Sequence, residues 1–132
     1  MTPLIRYNPP GVMPPVGPYT HGIGIPANAR WLYVSGQVGA DAAGATPADI
    51  AAQSELAWRN LTAVLAAAGM LAADLVKVTT FLLRPEDLPV YAGIRKRYLA
   101  GSEPAMTLLF VSALARPEWL VEVEAIAARA ER

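Results

Sequence analysis

Two carboxylates on an otherwise apolar stretch near the end of the chain are the clearest candidates for chemistry. Within residues 120–127, the alternation of a β-strand turns Glu122 and Glu124 to one face and valines and alanines to the other. The two carboxylates then lie roughly 6 to 7 Å apart. One interpretation is an edge strand with a solvated face, and the other is a carboxylate held in a cleft for proton transfer.

The remaining polar candidates are neutral hydrogen-bonding side chains: Tyr19, Ser35, Gln37 and Thr107. A glutamate that is partly desolvated beside a tyrosine and apolar walls acquires a raised pKa, which suits it to activate water near neutral pH. The sequence has no phosphate-binding glycine loop, nucleophile elbow or dinucleotide-binding motif. Its single histidine, His21, is interpreted as a structural or solvated loop residue, with a role as an extra acid or base as the alternative.

Composition restricts the classes of protein that fit. The 132 residues predict one domain, residues 1–132, and the balance of 11 basic and 11 acidic residues gives no electrostatic attraction for nucleic acid or anionic membranes. Cysteine is absent, which removes thiol chemistry, and one histidine cannot build a zinc site. Residues 7–29 are uncharged but rich in proline and glycine, so we expect no spanning helix there, no signal peptide and a cytoplasmic protein.

The pattern of apolar residues predicts strands and helices in the order β-β-α-β-α-β-β. The strands are expected at residues 19–25, 31–38, 75–83, 105–114 and 120–128, with residues 4–7 as a further short strand. The first two are expected to pair as a hairpin, and Tyr33, Ser35 and Gln37 share one face of the second. The first helix should start with Thr46 as its cap and end at Gly69. The second should start near Asp87, and its basic residues 95–97 are attributed to the helix dipole and solvent.

This order is typical of an α+β fold in which two helices cover one face of a single mixed sheet. The predicted strand at residues 105–114 has apolar residues on both faces, such as Leu108 on one and Leu109 on the other. Two helices cannot cover both faces. We therefore expect the second face to be covered by another copy of the chain in a homo-oligomer.

Short motifs spread over nearly the whole chain resemble those of the Rid family, also called YjgF, in the same order. They are Gly17-Pro18-Tyr19, Ser35-Gly36-Gln37, Ala67-Ala68-Gly69, Val76-Lys77-Val78-Thr79, Pro104-Ala105 and the stretch from Val121 to Ala127. The resemblance implies a chorismate-mutase-like fold and a homotrimer that binds a small metabolite in clefts between subunits. It also implies hydrolysis of reactive enamines and imines to a keto acid and ammonia, with no cofactor.

The resemblance also assigns site residues. Tyr19 matches the cleft tyrosine and Glu122 the glutamate that positions water, so these are the expected catalytic residues. The expected substrate-binding residues are Ser35, Gly36, Met106, Thr107 and Leu108, with Leu108 contacting ligand through its backbone.

The chain departs from the family at one position. Deaminases carry an arginine after the Pro-Ala motif that binds the substrate carboxylate, whereas this chain has Met106. Loss of a charged hydrogen-bonding partner costs about 1.5 to 3 kcal/mol, which makes an ordinary 2-imino acid a poor substrate.

Three interpretations follow from this departure. The first is an imine or enamine hydrolase of atypical specificity, acting on a substrate without that carboxylate. The second is a non-catalytic trimer that binds or senses a small metabolite. The third is replacement of the missing arginine by another, such as Arg116 or Arg95, or the ribonuclease activity attributed to some relatives, which the zero net charge does not favour.

Overall fold

The computed structural model describes residues 4–131 and contains two helices and six strands. The elements in chain order are β1 (Ile5–Tyr7), β2 (Gly22–Gly24), β3 (Ala29–Val38), α1 (Ile50–Ala67), β4 (Leu75–Leu82), α2 (Leu88–Leu99), β5 (Ala105–Phe110) and β6 (Val121–Ala130). Short 3-10 turns precede β4 and α2. Neither helix of the described chain has the length and apolar character needed to span a bilayer.

The main sheet is mixed and has the strand order β3-β6-β4-β5. β6 runs antiparallel to both of its neighbours, whereas β4 and β5 are parallel and are joined through α2, as a crossover connection requires. Both helices pack on one face of this sheet, where Leu61 and Tyr91 join Val78, Val123 and other strand residues in one apolar core. The predicted α+β fold with two helices on one face of a mixed sheet is therefore confirmed.

Helix α1 buries an apolar stripe against the sheet but begins later than expected. Ala57 and Leu61 are fully buried, and Trp58 is also a core residue. The predicted start at Thr46 is wrong, because α1 begins at Ile50 with Asp49 before it. Residues 46–49 instead belong to a loop whose Pro47 carbonyl accepts a hydrogen bond from the buried Gln53 amide. Gly69 ends the helix with a positive φ of 71°, as predicted.

The predicted hairpin between the first two strands is also wrong. β2 pairs antiparallel with β1 in a separate two-stranded sheet, whereas β3 pairs with β6. Gly24 allows β1 to approach β2 closely, because a Cβ at Gly24 would meet the Tyr7 ring at 3.2 Å.

The second face of the main sheet has no helix over it. Large apolar side chains on this open face are exposed in one copy of the chain, including Tyr33 at 73% and Leu109 at 46%. β5 is shorter than predicted and ends at Phe110, after which residues 111–120 form the connection to β6. Although β5 is short, it still has apolar residues on both faces, which is the pattern from which an oligomer was expected.

Candidate functional site

A pocket of about 340 Å³ opens between the loop before β2, helix α2 and the edge strand β5. Most of its wall is apolar, and its polar groups come from Tyr19 and Arg95. The complete lining is Val16, Gly17, Tyr19, Leu88, Ala92, Arg95, Met106 and Leu108. This composition, with an apolar body and few polar groups, is typical of a small-molecule site.

Backbone hydrogen bonds hold Tyr19 at the mouth of this pocket. The amide of the next residue, Thr20, donates to the Pro104 carbonyl at 3.1 Å, which fixes the loop beside the start of β5. The Tyr19 hydroxyl accepts a hydrogen bond from the Val16 amide at 3.3 Å, so its own proton can be donated to a ligand. The loop thus presents a phenol group to whatever the pocket binds.

His21 supports the same loop rather than the pocket wall. Its Nε2 lies 2.6 Å from the Met13 carbonyl oxygen, to which it donates, and its ring packs edge-on against the Tyr19 ring. The His21 amide donates to the Asn8 side chain at 2.9 Å. The structure therefore gives this histidine contacts that order the loop before β2.

Strand alternation divides the three candidates on β5 between the two faces of the sheet. Met106 and Leu108 are paired with Val78 and the buried Thr80, so they point to the helix side and into the pocket. Thr107 lies on the open face, where its hydroxyl accepts a hydrogen bond from Lys77 at 2.7 Å. The β5 side chains that reach the pocket are therefore apolar.

Glu122 lies on the open face, where it meets the backbone of Gly36. A Cβ at Gly36 would overlap the Glu122 carboxylate, so this close approach requires glycine. The approach occurs at an irregularity in the pairing of β3 with β6, between Val34 and Gln37. Because of this bulge Gln37 pairs with the buried Val123, which corrects the prediction that Gln37 shares a face with Tyr33.

One chain therefore brings together only some of the predicted site residues. Tyr19, Met106 and Leu108 surround the pocket. The other four lie at the opposite face or the β3 bulge: Ser35, Gly36, Thr107 and Glu122. Within a single chain the pocket and the Glu122 carboxylate are separated by the sheet.

Arg95 is a pocket residue that the sequence interpretation attributed to solvent and the helix dipole, with replacement of the missing arginine as an alternative. The structure places it in the wall with Leu88 and Ala92, which are seven and three positions before it in α2. Such a spacing puts the three residues on one helix face, so the sequence could have indicated that Arg95 faces the same way as the apolar Leu88 and Ala92. Its neighbour in sequence, Lys96, is exposed, and Arg97 pairs with Glu55 at 2.6 Å.

The Arg95 guanidinium lies over the ring of Tyr91, with its Cζ 5.4 Å from the ring centroid. Burial raises the pKa of the Tyr91 phenol, although hydrogen bonds with Thr80 and Trp58 oppose this shift. Tyr91 is therefore neutral at physiological pH and does not balance the charge of Arg95.

Across residues 4–131, no group of three His, Asp or Glu side chains lies together in a way that would hold a metal ion.

Comparison with known proteins identifies the family. The family model described as Endoribonuclease L-PSP matches residues 11–129. The chain is 36% identical over 114 residues to Protein DfrA of Myxococcus xanthus, covering 85% of this chain and 86% of that protein. It is also 36% identical over 114 residues to the 2-iminobutanoate/2-iminopropanoate deaminase of Mus musculus, covering 85% and 82%.

A solved structure extends the agreement to almost the whole chain. The conserved Rid family protein YyfB of Yersinia pestis, described as a protein of unknown function, superimposes with a TM-score of 0.87 at 30% identity. The match covers 97% of this chain and 100% of the YyfB chain. The chain therefore belongs to the Endoribonuclease L-PSP family, which is the Rid or YjgF family that its motifs indicated.

Proposed function

We propose that the protein hydrolyses reactive imines or enamines to a carbonyl compound and ammonia, without a cofactor, in a cleft completed by a second copy of the chain. The observation that carries this proposal is the pocket formed by Tyr19, Met106 and Leu108, three positions that the family resemblance assigns to the cleft. Family members named as 2-iminobutanoate/2-iminopropanoate deaminases support the reaction type.

A homotrimer brings the separated parts of this site together. In the proposed assembly, the open sheet faces pack against one another, and the Glu122 side of one copy closes the pocket of the next. The exposed Trp31, Tyr33 and Leu109 support this arrangement, because a monomer would leave these large apolar side chains in water. Hydrophobic burial would then favour the same contact that completes the site.

The reaction needs a base for water and a donor for nitrogen. Glu122 accepts a proton from water as the oxygen bonds to the imine carbon, and transfer of that proton to the nitrogen gives a carbinolamine with OH and NH2 on the same carbon. Glu122 then takes the hydroxyl proton and passes it to the nitrogen, so that the C–N bond breaks, the C=O bond forms and ammonia leaves. The Tyr19 hydroxyl, free to donate, hydrogen-bonds to the substrate during these steps.

Met106 gives the pocket a specificity unlike that of a 2-imino acid deaminase. Its thioether presents an apolar surface on β5, where the family resemblance expects a carboxylate-binding arginine. A carboxylate attached directly to the imine carbon would lose a charged partner there, at a cost of about 1.5 to 3 kcal/mol. Substrates without that group are therefore favoured by roughly ten- to a hundredfold.

The test is ammonia release from freshly generated imines and enamines with and without a carboxylate on the reacting carbon. The natural protein should accelerate the carboxylate-free compounds, and Met106→Arg should shift the preference towards 2-imino acids by at least tenfold. If neither protein accelerates any compound, the pocket is a binding site for a metabolite and the proposed hydrolysis is wrong.

A further inference from the structure

Arg95 is a charged group in the pocket wall that forms no ion pair with a carboxylate of the described chain. Its Nε is buried and makes no hydrogen bond within residues 4–131, and the ion pairs of that region do not include it. Burying part of a guanidinium without an acceptor costs solvation free energy. A site that keeps such a group has a use for its unsatisfied donors.

The groups around Arg95 do not supply the missing acceptor. Tyr91 stays protonated under its ring contact with the guanidinium, and its hydroxyl already bonds with Thr80 and Trp58. The pocket residues one and two turns earlier in α2 are Ala92 and Leu88, which have apolar side chains. The buried Nε therefore lacks an acceptor within residues 4–131, and an anion bound in the pocket would supply one.

We infer that Arg95 binds the carboxylate of an amphipathic ligand whose apolar body occupies the rest of the pocket. The guanidinium fork matches a planar carboxylate, and the apolar wall that includes Val16, Leu88, Met106 and Leu108 suits an alkyl or aromatic chain. The carboxylate binds on the α2 side of the pocket, at Arg95, whereas Met106 lies on the β5 side. The ligand is thus an apolar chain with a carboxylate remote from its reacting carbon.

This inference rests on the proposed function only for the reacting group, because carboxylate binding requires no turnover. Suitable probes are therefore hexanoate and hexanamide, which have the same chain length and contain no imine. Calorimetry on the natural protein should show hexanoate binding at least tenfold tighter than hexanamide. Added salt should weaken the binding of hexanoate and leave that of hexanamide unchanged.

Two variants on α2 separate a local contact from a general change in charge. Arg95→Gln should weaken hexanoate binding at least tenfold and change hexanamide binding less than twofold. Lys96→Gln removes the same charge from the exposed neighbouring position and should leave both affinities unchanged. The comparison of the two probes on the natural protein needs no variant, so it remains decisive if Arg95→Gln does not fold.

Equal affinity of the natural protein for the two probes, or equal loss in Arg95→Gln and Lys96→Gln, would overturn the role of Arg95. Selective hexanoate binding without ammonia release from any imine would uphold that role and contradict the proposed hydrolysis. Imine hydrolysis by a protein that binds hexanoate and hexanamide equally would uphold the proposed hydrolysis and contradict the role of Arg95.

Discussion

The Glu122 carboxylate rests against the backbone of Gly36, in the space that a side chain at position 36 would occupy. This contact lies between two neighbouring strands. Glu122 belongs to β6, where the alternation is regular, and Gly36 lies in the bulge of β3. It also limits the positions open to the carboxylate on the open face. The proposed water-activating group is therefore positioned by a glycine rather than by strand geometry alone.

Gly36→Ala should displace Glu122 and lower imine hydrolysis at least tenfold with little effect on folding. The new methyl group would overlap a flexible side chain on the sheet surface, so the carboxylate moves and the core does not. Ammonia release and thermal unfolding measure the two effects. Gly93→Ala is the matched control, because a Cβ at Gly93 meets no atom within 4 Å. Equal activity of the two variants would show that the Gly36 contact has no functional role.

Leu109→Glu should dissociate the proposed trimer and abolish hydrolysis, because it places a charge in the centre of an apolar subunit contact. Leu109 is 46% exposed in one copy, so the change should leave each chain folded. Sedimentation of the natural and variant proteins measures the assembly. Leu71→Glu, at a residue 67% exposed and outside the open face, should keep the natural assembly. A natural protein that sediments as a monomer would contradict the shared site.

Regular periodicity in the sequence was sufficient to predict the main sheet and the two helices. The alternation in residues 120–127 puts Glu122 and Glu124 on one face, and β6 has this arrangement. The failures have local causes that a repeating pattern does not contain. The Gln53 amide draws the Pro47 carbonyl into a loop, and the pairing of β1 with β2 depends on how the Tyr7 ring fits beside Gly24.

The candidate site was less accessible to sequence reasoning than the fold. Motifs named Tyr19 and Met106, which line the pocket, and also Glu122, which does not line it within one chain. Position along the chain does not reveal that a sheet separates two groups of residues. Arg95 was named only as one of two alternative replacements for the missing arginine, because it stands in a run of three basic residues, of which only the first faces the pocket.

Tyr91→Phe should lower the free energy of unfolding by about 1 to 3 kcal/mol, because it leaves buried polar groups without their partner. The Trp58 indole donates to the Tyr91 hydroxyl at 3.2 Å, and that hydroxyl also bonds with the buried Thr80. Chemical denaturation measures the change. Tyr7→Phe, at a tyrosine 55% exposed, should have little effect. A loss no greater than that of Tyr7→Phe would mean that the buried hydroxyl network does not stabilise the fold.

The ion pair between Glu55 and Arg97 should make a small contribution to stability that depends on pH. The hydrogen bond from Arg97 lowers the pKa of the Glu55 carboxyl below its ordinary value of 4.5, although partial burial opposes the shift. Because the pKa is lower in the folded state, the ion pair stabilises the protein at pH values above the pKa of the unfolded state. This stabilisation disappears as the pH falls through the pKa of the folded state. Glu55→Gln should thus be slightly less stable than the natural protein at pH 7, with the difference fading below pH 4.5. A difference that persists unchanged in acid would point to packing instead.

The most direct test of the account is the rate of ammonia release by Glu122→Gln compared with Glu124→Gln. The two glutamates lie on the same strand and face, two residues apart, so the variants share their loss of charge and differ in position. We expect Glu122→Gln to lose at least a hundredfold in kcat/KM, as removal of a general base does, and Glu124→Gln to stay within threefold of the natural protein. Retention of activity in Glu122→Gln, or an equal loss in both variants, would contradict the assignment of Glu122 as the group that activates water.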